Sequence, residues 1–153
     1  MLQLSYPIIV NSPQVNHLTA EQLWTGLLLR VMEPMRFTVG LERAHVSQVD
    51  DETFERVLYF GEHEICDEVK LVYARSVQFT TVANEHAPQG RLRYEIQNHA
   101  EQGLVLLCEY QTEFPEPDSD EVRQLLETVK NAYRMADEEM LCIIREEAHL
   151  MRH

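Results

Sequence analysis

With 153 residues, a hydrophobic fraction of 44% and a charged fraction of 25%, the chain has the size and composition of a single globular domain over 1–153, and no stretch approaches the ~20 apolar residues needed to cross a bilayer. Its 26 acidic residues against 13 basic ones give a formal net charge of -13, a field that repels phosphate backbones and anionic lipid heads and so argues against nucleic acid and stable membrane insertion. Met1 to Val10 lacks a basic stretch ahead of an apolar one, and Cys66, Cys108 and Cys142 show no paired spacing, which together point to reduced thiols in a cytoplasmic protein.

Leu4, Tyr6, Ile8 and Val10 alternate with less apolar positions, predicting a first strand in which Pro7 marks an edge or a bulge. Thr19 and Gln22 have capping-box spacing, flanked by Leu18 and Leu23 at staple positions, so a helix is expected from about Ala20 to Glu33 with Leu23, Trp24, Leu27, Leu28 and Val31 inward. Pro34 ends it before a second short helical turn carrying Met35 and Phe37. Six further strands are read at about 41–49, 53–60, 63–73, 76–83, 91–98 and 104–114. Pro115 and Pro117 break the extended chain, and Asp118 with Glu121 offers a second cap pair.

The last helix is expected to bury Val122, Leu125, Leu126, Val129, Ala132, Tyr133, Ala136, Met140, Ile143 and Ile144 on a stripe roughly 120° wide. It should end near Glu146, about 28 residues or ~42 Å long. This layout is α+β: a curved seven-stranded antiparallel sheet, two short helices and one long C-terminal helix. A bent sheet closed by one helix is hard to fill, so the space between them is a natural small-molecule site.

One hairpin carries charge into that space. With Gly61 and Glu62 as a two-residue turn, Phe60 faces His63, Leu58 faces Ile65, Arg56 faces Asp67 and Phe54 faces Val69 on the apolar side of the ribbon. Arg56 and Asp67 are therefore expected to satisfy each other. Three roles stay open: a register-fixing ion pair, a polar anchor on a cavity wall, and acid or base chemistry at Asp67. The last is weakened because a guanidinium neighbour makes a carboxylate a poorer base. In the final hairpin Leu92, Tyr94, Ile96 and Asn98 are set against Leu104, Leu106, Cys108 and Tyr110, so Tyr94, Tyr110 and Tyr133 are candidates for inward-facing hydroxyls, with bonding to backbone as their ordinary use.

The seven histidines, His17, His45, His63, His86, His99, His149 and His153, show no metal-ligand spacing, and no G-x-S-x-G elbow, P-loop or G-x-G-x-x-G occurs. No metal, cofactor or dedicated catalytic residue is expected.

Val10-Asn11, Leu18-Thr19, Glu21-Gln22-Leu23-Trp24, Gly26-Leu27, Pro34 with Phe37, Arg56 with Phe60-Gly61, and Asp67 followed by Val69 and Leu71 carry a resemblance to the AtaL-like family of the START-like, birch-pollen-allergen (SRPBCC) superfamily. That resemblance implies a helix-grip fold and a deep, mainly apolar cavity of the kind the superfamily uses for lipids, sterols, polyketides and plant hormones. Some of its members are cyclases or aromatases, and it transfers no catalytic residue.

The reading favoured at this level is a carrier or sensor of a small hydrophobic molecule. Arg56 and Asp67 are its polar anchors, and Trp24, Leu58, Ile65, Val69, Tyr94, Ile96, Leu106, Tyr110, Tyr133, Met140 and Ile143 its wall. The second reading is a cyclase- or aromatase-like enzyme using the same cavity on a polyketide-like substrate. The third is a solidly filled protein that meets a basic partner. Thr38 to Gly40 and Asn84 to Gly90 are candidate portal segments, and the sequence leaves monomer and homodimer open.

Overall fold

The strands read from alternation pair edge to edge. A computed structural model describes residues 1–151 and gives, in chain order, β1 (Leu2–Ile9), α1 (Ala20–Met32), a 3₁₀ turn (Pro34–Arg36), β2 (Arg43–Asp50), β3 (Thr53–Phe60), β4 (His63–Val72), β5 (Ser76–Thr81), β6 (Gly90–His99), β7 (Gly103–Thr112) and α2 (Asp120–Leu150). His153 lies outside the described residues. The strands form one antiparallel sheet in the order β1-β7-β6-β5-β4-β3-β2. The expected second short helix is a single 3₁₀ turn, since Pro34 stops α1 and only three residues follow in helical form.

Both hairpins pair as expected. Arg56 is opposite Asp67 and Leu58 opposite Ile65, with Gly61 turning the chain at φ +61°, a conformation that suits glycine. Tyr94 is opposite Cys108 and Leu92 opposite Tyr110. β1 pairs with β7 only, so Pro7 sits on an edge strand, where its missing N–H is tolerated. Asn11 closes the turn after β1 by donating from Nδ2 to the Leu18 carbonyl and accepting from the Leu18 N–H, both at 2.8 Å. The Thr19–Gln22 capping box then starts α1.

α1 and α2 lie so close that a Cβ on Gly26 would stand 2.4 Å from Ile144 Cγ2. That approach accounts for a glycine inside a helix, where it otherwise costs about 1 kcal/mol relative to alanine. Leu23, Leu27 and Val31 of α1, Met140, Leu141 and Ile144 of α2, and Val69, Val77, Leu106 and Cys108 of the sheet fill the core.

α2 differs from expectation in three ways. Ser119, rather than Asp118, is its cap, accepting from the Val122 N–H at 3.2 Å. It runs 31 residues to Leu150, past Glu146, because Glu147 is held by an ion pair to Arg36 instead of ending the packed stripe. Its inward stripe is Tyr133, Asp137, Met140, Leu141, Ile144 and Ala148, while Leu125, Ala132 and Ala136 are exposed and Val122, Leu126 and Val129 half-buried. The expected stripe thus kept its phase through Val122, Leu126, Val129 and Tyr133, but it took in exposed positions on one side and omitted the buried Asp137.

Candidate functional site

A cavity of about 300 Å³ lies between the sheet and the helices. Six of the thirteen residues expected at the site line it: Arg56, Leu58, Ile65, Asp67, Tyr110 and Tyr133. The other seven are elsewhere. Val69, Tyr94, Leu106 and Met140 are packed in the core, Ile96 sits at its margin, and Ile143 is half-buried on α2. Trp24 meets Tyr73 edge-on at 6.0 Å, beside the β4–β5 turn. Both expected portal segments reach the cavity, through Thr38 and through Ala87, Pro88 and Gly90. The second segment is pinned by Asn84, whose Oδ1 accepts from the N–H groups of His86 and Ala87 at 2.7 and 2.9 Å while its Nδ2 donates to the Glu64 carbonyl at 2.8 Å. A more apolar groove of about 530 Å³ runs between α1 and the last turns of α2, lined by Leu28, Leu29, Met32 and Ala148 among others.

Arg56 and Asp67 face inward and are 5% and 7% exposed. The pairing is bidentate, Nε to Oδ1 at 2.8 Å and Nη2 to Oδ2 at 2.6 Å. Nη1 also donates to the Val31 carbonyl at 3.2 Å, at the C-terminal end of α1. Most of the five guanidinium donors are thus committed to the protein itself, joining β3, β4 and α1.

The most concentrated chemistry lies one layer deeper, at a residue sequence reasoning passed over. Asp137 is fully buried, and its carboxylate accepts hydrogen bonds from three phenols: Tyr6 on β1, Tyr94 on β6 and Tyr110 on β7. Tyr110 reaches both oxygens, at 2.7 Å to Oδ2 and 2.9 Å to Oδ1. The sheet sets this up by register: Tyr6, Cys108 and Tyr94 stand in a row across β1, β7 and β6, with Tyr110 two residues along on the same face. Burial, then the hydrogen bond to Asp137 and the charge of that carboxylate, raises the Tyr6 phenol well above its ordinary value. Tyr110 is raised by burial together with Tyr94 and Asp137. For Tyr94 burial again leads, opposed by Arg30 and reinforced by Asp137. Burial and Asp137 push the Cys108 thiol up as well. All four groups are held protonated around one carboxylate. Of the hydroxyls expected inward, Tyr94 and Tyr110 join this cluster, with Tyr6 where Tyr133 was expected, and the one sequence hint of the acceptor is that Asp137 lies four residues after Tyr133 and three before Met140.

Tyr110 joins the two layers. Its ring stacks on Tyr133 at 4.2 Å and 5° in the cavity wall, while its hydroxyl belongs to the Asp137 cluster. Arg30, half-buried on α1, also lines the cavity, its Cζ 5.5 Å from the Tyr94 ring and 5.7 Å from that of Phe79. No group of three or more His, Cys, Asp or Glu side chains among the described residues is arranged to hold a metal ion.

A family model described as "AtaL: Acetylaranotin biosynthesis cluster protein L" matches residues 3–149. The chain belongs to this AtaL family. Among solved structures it is similar to the di-domain ARO/CYC StfQ from the steffimycin biosynthetic pathway, with a TM-score of 0.70 and 9% identity over 98% of this chain and 52% of that one. The ZhuI aromatase/cyclase from Streptomyces sp. R1128 matches at a TM-score of 0.61 and 15% identity, over 99% of this chain and 94% of that one. Ara h 8.0201 matches at 0.57 and 9%, over 95% and 96%. The chain spans about half the length of the two di-domain proteins it matches first. At these identities the likeness establishes the fold, which is the helix-grip fold. No curated protein sequence matches significantly. No helix among the described residues is long and apolar enough to cross a membrane.

Proposed function

We propose that this AtaL-family chain is a cyclase- or aromatase-like protein acting on a polyketide-like hydrophobic substrate in the cavity, the reading ranked second from sequence alone. One observation carries it: Tyr110 is at once cavity wall and hydrogen-bond donor to the buried Asp137 carboxylate. The ligand space is thereby connected to a base through one phenol. The aromatase/cyclase structures that share the fold support the same reading by analogy.

Closing a ring by aldol chemistry requires a proton to leave a carbon beside a carbonyl. The Tyr110 oxygen takes that proton as its own passes to Asp137, so one O–H bond forms while another breaks and no free tyrosinate arises, in keeping with a phenol whose ionisation is strongly opposed. The substrate enolate attacks a second carbonyl and forms the C–C bond. The resulting alkoxide recovers the proton from Asp137 by the same route, and loss of one water followed by enolisation of the remaining ring ketones aromatises the ring. The cavity's part is to fold the chain so that the two carbons meet.

Carriage without chemistry is the second reading, favoured by the apolar wall of Leu58, Ile65, Phe79 and Leu92. The two separate on incubation with an N-acetylcysteamine thioester of a poly-β-ketone, followed by mass spectrometry. Cyclase action gives a protein-dependent product lighter by one water, and Tyr110→Phe lowers its rate at least tenfold while the thioester still binds. Binding without product favours carriage. Equal turnover by wild type and Tyr110→Phe sinks the relay.

A further inference from the structure

We propose that Arg30 is the recognition group for an anionic ligand: the molecule held in the cavity is largely apolar but carries one ionised oxygen acid, a carboxylate or the enolate of a 1,3-dicarbonyl, seated on the Arg30 guanidinium. This deepens the reading above and rests on the same cavity being the ligand site.

The charge distribution is the first support. In a chain of formal charge -13, the cavity is lined by three arginines, Arg30, Arg56 and Arg91, against a single acidic residue, Asp67. The wall is thus a positive island in a negative protein. Such a field concentrates an anion at the cavity while the rest of the surface repels it.

The second support is which of these arginines is available. Arg56 is engaged by Asp67 and by the end of α1. Arg91 is exposed. Arg30 alone combines partial burial, a place in the wall and, among the described residues, no side-chain hydrogen bond or ion pair. Its neighbours are the faces of Phe79 and Tyr94. Of the buried carboxylates nearby, Asp67 is paired with Arg56 and Asp137 is occupied by three phenols. A half-buried guanidinium that lies over two rings and whose fork has no protein acceptor is suited to receive a delocalised oxyanion through paired N–H donors.

The position relative to Tyr110 gives this a consequence for substrate choice. Arg30 and Tyr110 line the same cavity, so a chain anchored by its acid on Arg30 presents its interior to Tyr110 at a fixed depth. Neutral molecules of the same shape lack that anchor and take no single depth.

The test uses two probes with one apolar body: 8-anilinonaphthalene-1-sulfonate, and N-phenyl-1-naphthylamine, which lacks the sulfonate. Fluorescence titration of the wild type should show the sulfonate bound more tightly. Arg30→Met should weaken it roughly tenfold or more, Arg30→Lys, which keeps the charge but not the paired donors, should restore only part of the loss, and the neutral probe should stay within about twofold throughout. Displacement by 2-naphthoate identifies a carboxylate as the acid received, and displacement by benzoylacetone only above the pH at which it ionises identifies an enolate. Binding of both probes with no sulfonate preference, or a preference that survives Arg30→Met, overturns the anion anchor and leaves the cavity reading intact. If neither probe binds the wild type, both fall.

Discussion

Tyr6 and Asp137 stand 131 residues apart in the chain and are joined by a hydrogen bond from the phenol to the carboxylate. That bond ties the edge strand β1 to the long helix α2, and with Tyr94 and Tyr110 it gives the sheet three attachments to one side chain. Asp137→Asn keeps the size but puts an amide N–H against phenol donors, leaving at least one buried hydroxyl without an acceptor. The expected loss is about 2–3 kcal/mol, read as a lower urea midpoint at unchanged slope. A variant as stable as the wild type would show that the carboxylate is not the hub.

The same cluster sets the alkaline limit of the fold. In the unfolded chain the phenols of Tyr6, Tyr94 and Tyr110 ionise near 10.0, and in the native protein each is held above that value. Stability from them is therefore intact below pH 10 and falls as pH rises beyond it, because only the unfolded state sheds these protons, by about 1.4 kcal/mol per phenol per pH unit. Ultraviolet titration should show three of the six tyrosines ionising only together with the loss of near-ultraviolet circular dichroism. Smooth ionisation of all six in the folded protein would contradict the cluster.

Arg56→Met removes one half of a buried pair and leaves Asp67 charged and unanswered, an expected cost of about 3–5 kcal/mol. Adding Asp67→Leu should recover most of it, since two apolar side chains can replace the pair. Thermal unfolding of the single and double variants decides this. A harmless single change would mean the pair contributes nothing inside.

Gly26→Ala forces a methyl group against Ile144 and should lower stability by about 1–3 kcal/mol despite alanine's better helix propensity. Combining it with Ile144→Ala tests the cause. Non-additivity of the two, with the double variant more stable than the sum implies, identifies the helix contact, and strict additivity rejects it.

The strands were readable because a period of two shows wherever one face is buried, and the Arg56–Asp67 pairing followed from counting outward from Gly61. Helix α1 was readable because Thr19, Gln22 and Pro34 punctuate it locally. Asp137 was not, because an isolated charge on a helix ordinarily marks the solvent face, and the expected stripe of α2 took in Leu125, Ala132 and Ala136, which are exposed, in place of it. Both expected anchors and four of the expected wall residues, Leu58, Ile65, Tyr110 and Tyr133, reach the cavity. Tyr94, Val69 and Leu106 point the right way but are covered by other side chains.

What the chain determined by itself was everything that depends on near neighbours: strand alternation, caps, breakers and the register of hairpins, each set by contacts within a few residues. Which inward residues line a space and which fill it, and that three phenols from β1, β6 and β7 converge on one carboxylate of α2, was decided only when the helix lay across the sheet. Those contacts join residues 27 to 131 positions apart, and no local pattern encodes the angle and depth at which two packed layers meet.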